Sequence, residues 1–305
     1  MGKVDFVDSL ELRNRNIPIL NGIAKDFSDR SFWYYTSLDG IYRIVGGESK
    51  GFFASNLDVM NDVDEANSHR DEKNIVHALC FCCTENEKIP MWYMYSGVAG
   101  KGASLGVTPA VMKEFINSLE KIYPVLQNNV EWDKPLKKDV DFDLECGWIF
   151  YQDHQNKNYF NYRGKKFEVS SFDEFSKNNY FIKKQFWLYE NEFRIVIKNK
   201  SGKEYEKLYL PLPKEKIENL KVMFGPGFYN FDESRFVAPK HELLKYGINK
   251  IGNSNLQIKM DLIHKHFQNF VDEIPIEISK DKENNIATDI CQKIKLSKRC
   301  GGKSI

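Results

Sequence analysis

The stretch Ile75 to Thr84 constrains this chain more than any other. It is a dense apolar run of strand length that carries Cys80, Cys82 and Cys83, and it reads as a buried strand with its thiols packed as small apolar side chains. Its surroundings keep the same character. Phe32-Trp33-Tyr34-Tyr35 has strand composition, Thr36 or Ser37 is placed to N-cap a helix over Leu38 to Val45, and Gly46-Gly47 ends that helix before a strand over Gly51 to Ser55. Pro90 sits where the first turn of a short helix with Met91, Trp92 and Tyr95 begins, and the three-residue spacing puts Trp92 and Tyr95 on one face. After the glycine-rich turn Gly97 to Gly102, Ala103 to Val107 is strand-like. Thr108-Pro109 supplies an N-cap and first-turn pair for a helix expected to reach about Ile122.

Further strands are expected at Asn129 to Trp132, Trp148 to Tyr151, Lys166 to Val169, Phe193 to Ile197, Leu208 to Leu210, Lys221 to Phe224 and Gln257 to Met260. Helices fit Phe172 to Asn178, Lys214 to Leu220, Glu233 to Tyr246 and Asp261 to Glu273. Strands outnumber helices, and Asn199-Lys200-Ser201-Gly202 carries a hairpin signal, so the expected fold class is α+β with antiparallel sheets. The 22 Phe and 15 Tyr residues favour strands and at least one aromatic-lined pocket. Residues 1–30 read as a helical or irregular lead-in, residues 31–278 as a single α+β domain of catalytic type, and residues 279–305, rich in lysine and poor in apolar side chains, as a flexible basic tail.

Charge excludes little. Forty-four basic against 43 acidic residues leave a formal net charge of +1, which supplies no global field for nucleic acid or an acidic membrane, so partners must be argued from a site. No apolar run approaches a membrane span, and Met1 to Asp8 lacks a signal-peptide pattern, so a cytoplasmic protein with no membrane partner is expected. The six cysteines form no disulfide framework. Cys80-Phe81-Cys82-Cys83 contains a CxxC spacing, but no second thiol pair or His-x-x-x-His completes a four-ligand site, and no metal is expected. Glu131, Asp139, Asp141, Asp143 and Glu145 read as a solvated acidic connection without the spacing of a calcium loop. His264 and His266 lie two apart and would diverge on a helix.

A set of short motifs carries a family resemblance. Phe53-Ala54-Ser55-Asn56 leads to Asn61-Asp62 and Glu65; Cys80-Phe81, Pro90-Met91-Trp92, Tyr95 and Gly102 follow. Trp187-Leu188-Tyr189-Glu190-Asn191-Glu192-Phe193-Arg194 and Phe224-Gly225-Pro226 complete the series. In order and spacing, from about Tyr34 to Leu262, this resembles the bacterial domain-of-unknown-function 2971 family, with Val63 standing where the family commonly has proline. Its layout is similar to that of ADP-ribosyltransferases, particularly the DarT type that modifies nucleic acid. The resemblance implies a split antiparallel sheet, NAD as substrate, and a nucleic-acid or protein acceptor. It also implies a role as a toxin or antiphage effector, beside a neutralising antitoxin protein.

On that resemblance Glu190-Asn191-Glu192 matches the Glu-x-Glu of the transferases, with Glu192 catalytic and Glu190 orienting or deprotonating the acceptor. Alternate residues of a strand face one side, so both carboxylates are expected on one cleft. Trp92 or Tyr95 would offer an aromatic face to the nicotinamide or adenine, and Tyr34, Thr36, Ser37 and Ser55 would line the cofactor site. Tyr34 stands where those enzymes often have a basic residue. Arg43 or Arg194 would then neutralise the pyrophosphate, although Arg194 shares the parity of Glu192 and could pair with it instead. The rival readings are a nucleotide-binding sensor without turnover, a metal-dependent nuclease using Asp62, Glu65 and Glu190 with Mg²⁺, and a scaffold.

Overall fold

Val76–Thr84 does form a strand, and its continuous apolarity has a simple cause: the strand has a partner on each side and is buried along almost its whole length. The structure, a computed structural model, describes residues 4–14, 30–45, 50–57, 75–84, 88–96, 102–126, 129–213, 220–224 and 276–278. In chain order these form β1 (Val4–Val7), α1 (Ser9–Asn14), β2 (Ser31–Thr36), α2 (Leu38–Val45), β3 (Gly51–Asn56) and β4 (Val76–Thr84). Next come α3 (Ile89–Tyr95), β5 (Ala103–Val107), α4 (Pro109–Asn117), β6 (Lys121–Leu126), β7 (Asn129–Val130), β8 (Leu136–Lys137), β9 (Phe142–Trp148) and β10 (Phe150–Gln152). They are followed by β11 (Tyr159–Tyr162), β12 (Lys165–Val169), α5 (Phe172–Ser176), β13 (Ile182–Lys184) and a 3₁₀ helix (Gln185–Glu190). The series ends with β14 (Glu192–Asn199), β15 (Lys207–Pro211), β16 (Lys221–Phe224) and β17 (Ile276–Ile278). The class is mixed α+β, with mostly antiparallel sheets and few helices.

Two compact units are drawn from the chain. One takes residues from Met1–Phe32, Gly51–Thr84 and Met112–Leu212, the other from Trp33–Lys50, Glu85–Val111 and Pro213–Ile305. In the first unit, the antiparallel order β9-β14-β4-β3-β15-β6-β7 forms one sheet. Its core is aromatic. Phe32 sits 5.0 Å from Phe193 and 6.5 Å from Phe81, while Phe52 meets Phe81 at 5.2 Å and Phe115 at 5.4 Å, largely edge to face.

The second sheet of that unit has the order β1-β12-β11-β10-β13, with antiparallel pairs inside and a parallel pair at each end. Strand parity divides its side chains. Phe150, Phe160, Tyr162 and Phe167 share one face, where Phe150 and Phe160 meet Phe175 of α5 at 5.1 and 4.6 Å. The other face carries Val4, Tyr151, Tyr159, Asn161, Lys166 and Lys183, a more polar set. Ser171 caps α5 by accepting the Glu174 N–H at 3.3 Å. The buried Ser9 hydroxyl donates to the Ser171 carbonyl and accepts from its N–H, both at 2.9 Å, which ties α1 to the start of α5.

The second unit contains β2 from Trp33 onward, α2, α3 and the strand order β17-β16-β5-β2. Ser37 caps α2 by accepting the Gly40 N–H at 3.0 Å, and the helix buries Ile41, Ile44 and Val45. Gly102 is required by a close approach: a Cβ there would lie 1.8 Å from the Ser96 carbonyl oxygen and 2.4 Å from that of Thr36.

Several expectations need correction. The helix begun by Pro109 stops at Asn117, and Ile122 lies in β6. Asp143 and Glu145 are not in a loop; they occupy β9, where their carboxylates pair with Lys200 and Lys198. The turn Asn199 to Gly202 joins no hairpin, because β14 pairs with β4 and β9 whereas β15 pairs with β3 and β6. The N-terminal lead-in contributes strand β1 as well as α1. Asn61, Asp62, Glu65, most of the helix expected over Lys214 to Leu220, the elements expected from Glu233 to Glu273 and residues 279–305 lie outside the described residues.

Candidate functional site

The segment from Lys183 to Arg194 folds so that four charged side chains meet inside the first unit. Lys183 is the buried middle residue of β13, and the 3₁₀ helix that follows finishes at Glu190. Asn191 then takes a left-handed conformation, φ 42° and ψ 54°, that asparagine tolerates better than most residues. Its side-chain amide donates to the Cys83 carbonyl, and its own carbonyl accepts the Cys83 N–H at 3.0 Å, so the turn is locked to the end of β4. Glu190 is therefore outside the strand. The two carboxylates converge through a left-handed turn, which replaces the strand alternation expected from sequence.

Lys183 Nζ lies 2.7 Å from Glu190 Oε2 and 2.8 Å from Glu192 Oε2, and Arg194 Nε donates to Glu192 Oε1 at 2.7 Å. Arg194 Nη1 donates to the Tyr180 carbonyl at 2.7 Å. Glu190 and Glu192 are each 3% exposed and Arg194 is fully buried, so two carboxylates and two cations balance where water cannot screen them. The Glu192 backbone is fixed as well: its N–H donates to the Tyr151 hydroxyl oxygen at 2.7 Å and its carbonyl accepts the Ile149 N–H at 3.1 Å.

Burial alone would push the Glu192 carboxyl upward. The Arg194 guanidinium, the Lys183 ammonium and hydrogen bonds from Arg194 and Cys80 outweigh it, and the carboxyl is held well below the usual carboxylate range. Its negative charge acts on its neighbours in turn. Burial and then the Glu192 charge raise the Cys80 thiol well above its ordinary value, and the same two causes raise the Tyr151 phenol. Cys80 is thus a neutral donor to Glu192 and is not primed as a nucleophile.

The remaining sequence-derived candidates divide between the units. Ser55, half-buried on β3, belongs to the first. Tyr34, Thr36, Ser37, Arg43, Trp92 and Tyr95 belong to the second. There, Trp92 is completely buried with its ring edge-on to Tyr35 at 4.7 Å, while Tyr34, Thr36 and Tyr95 are half-buried and Ser37 and Arg43 exposed. Ser37 spends its hydroxyl on the α2 cap. Within the first unit, then, Glu190, Glu192 and Arg194 are brought together. Sequence reasoning missed Lys183, which bridges both carboxylates, and Tyr151, which holds the Glu192 amide. A lysine beside a second lysine at the end of a short strand reads as solvated, and nothing local signals its burial at 6% exposure. Among the described residues no three His, Cys, Asp or Glu side chains gather as metal ligands, and no helix is long and apolar enough to cross a membrane.

No family model matches the chain, and no curated protein or solved structure matches it.

Proposed function

We propose that this chain transfers ADP-ribose from NAD to a macromolecule, nucleic acid in preference to protein, with Glu192 as the catalytic carboxylate and Glu190 as its helper. The observation that carries the reading is the meeting of Glu190 and Glu192 on one ammonium, with Glu192 held ionised by its neighbours. When the bond from ribose C1′ to nicotinamide breaks, its electron pair leaves with the nicotinamide and positive charge develops on the ribose. A fixed carboxylate stabilises that charge where it forms. Lys183 Nζ marks a place beside Glu192 where a positive charge is already favoured, and the ribosyl cation would take a comparable place. The acceptor's nucleophile then closes on C1′ while Glu190 takes its proton.

The sheet order β9-β14-β4-β3-β15, with the Glu-x-Glu at the start of a central strand, is compatible with a split antiparallel core of the ADP-ribosyltransferase kind. An activity of this kind would harm its own cell if unrestrained, which fits a toxin or antiphage effector kept in check by an antitoxin protein. The near-neutral chain argues that a nucleic-acid acceptor is engaged locally and not through a general basic surface.

One observation favours a second reading, a nucleotide-binding sensor without turnover: both oxygens of Glu192 already face cations at 2.7 and 2.8 Å. The experiment that separates the two is incubation of the protein with labelled NAD and a cell lysate, beside Glu192→Gln, followed by nuclease or protease digestion. Label that requires Glu192 and vanishes on nuclease treatment supports the transferase. NAD binding with neither label nor free nicotinamide moves the conclusion to the sensor.

A further inference from the structure

The polar face of the five-stranded sheet holds a cavity of about 360 Å³, lined by Tyr151, Asp153, Tyr159, Asn161, Lys166 and Gln185 among others. We propose that this cavity is a nucleoside site, in which a planar heteroaromatic base packs against the tyrosines while a sugar hydroxyl reaches Asp153.

Three features point there. Strand parity places Tyr151 of β10, Tyr159 and Asn161 of β11, and Lys166 of β12 on the same side, and Asp153, just past β10, donates its N–H to the Tyr159 carbonyl at 2.8 Å, so the lining belongs largely to the sheet itself. The volume lies at the small end of the roughly 300–1,000 Å³ in which ligand pockets fall, and its walls join aromatic rings to a few polar groups. The third is an acceptor at the lining, the Asp153 carboxylate. Asp153 remains a carboxylate, because backbone N–H groups of Gln155 and Asn156 hold its carboxyl below the usual range. A carboxylate accepts from ribose hydroxyls as the acidic residue of dinucleotide folds does. The exposed Lys166 lies at the same lining and would meet a phosphate on the sugar.

The cavity also touches the segment that sets the carboxylates. Gln185 begins the 3₁₀ helix whose last residue is Glu190, and Tyr151 holds the Glu192 N–H. The proposal nevertheless goes beyond the transferase reading and does not need it, since adenosine has no nicotinamide bond to break.

The test is calorimetric titration of the full chain with adenosine, repeated on Asp153→Asn, which keeps the turn's Oδ1 acceptor and removes the charge, and on Tyr159→Ser, which removes a wall. Saturable binding by the unaltered chain is expected, weakened about tenfold by Asp153→Asn and at least as much by Tyr159→Ser. Each variant's melting curve is recorded first, and either variant that folds suffices. Absence of saturable adenosine binding overturns the proposal, as does affinity unchanged in a folded variant. Competition identifies the natural source: displacement of adenosine by NAD indicates a free dinucleotide, displacement by a single-stranded oligonucleotide an unstacked base of a nucleic acid. Both outcomes uphold a nucleoside site, and an ability of neither to compete confines it to free nucleosides and mononucleotides.

Discussion

The two ends of β14 carry ion pairs of nearly equal length in opposite surroundings. At the start, Glu192, Arg194 and Lys183 pair at 2.7 and 2.8 Å with no more than 6% of any side chain exposed. At the end, Lys198 meets Glu145 and Lys200 meets Asp143, both at 2.6 Å, with side chains 24–48% exposed. Distance therefore does not rank these contacts. Water screens the outer pairs in both folded and unfolded states, and contacts of that type contribute about 0–1 kcal/mol. The inner group has given up its hydration, so its attraction largely offsets a desolvation cost, and its weight appears only when one member is taken away and the rest stay charged and dry. The same strand thus holds a group that cannot be altered piecemeal and a pair that can.

The strongest way to break this comparison is Glu192→Ala. Leaving Arg194 and Lys183 buried with one carboxylate between them is expected to cost about 3–5 kcal/mol in urea unfolding; a loss below about 1 kcal/mol would make the two ends equivalent. Acid titration comes next. The Glu192 carboxyl is depressed in the folded state, so its contribution is complete above its unfolded pKa near 4 and is lost as pH falls toward the folded value. Stability of the unaltered chain should fall between neutral pH and pH 3 by on the order of 2 kcal/mol more than that of Glu192→Gln, read from denaturant midpoints at each pH. Lys183→Met is expected to cost about 3 kcal/mol alone, and adding Glu190→Gln should return more than 1 kcal/mol of it, because the second change removes the carboxylate that the first one stranded. That net loss is smaller than either effect above. Smallest of all is the outer end: a double-mutant cycle on Lys198 and Glu145 should give a coupling under about 1 kcal/mol that fades with added salt.

Much of the architecture was legible because apolarity and turn chemistry point the same way. Ile75 to Thr84, the Ser37 cap, Pro90 at the first turn of α3 and the strand from Phe193 all announce themselves locally. What escaped depends on distant partners. Asp143 and Glu145 read as part of a solvated acidic connection, yet pairing with β14 makes Phe142 to Trp148 a strand, and Lys198 of that neighbour and Lys200 just past its end pair with the two carboxylates. The end of α4 at Asn117 was hidden because the buried Leu119 and Ile122 continue an apolar pattern, although Leu119 lies in the connection and Ile122 in β6. At the site, the Glu-x-Glu and the shared parity of Glu192 and Arg194 were visible in sequence. The left-handed Asn191, which lifts Glu190 out of the strand, and the buried Lys183 were not, since neither leaves a periodic trace.

The parallel pairing of β1 with β12 sets an order of events during synthesis. Val4 aligns with Lys166 and Val7 with Val169, so the strand that leaves the ribosome earlier cannot dock until its partner has emerged far later. Val4 also lines the cavity on that sheet. The pocket is consequently completed by the closure of a long loop, and a nascent or truncated chain lacking residues 165–169 would have neither the far wall nor a place for the near one.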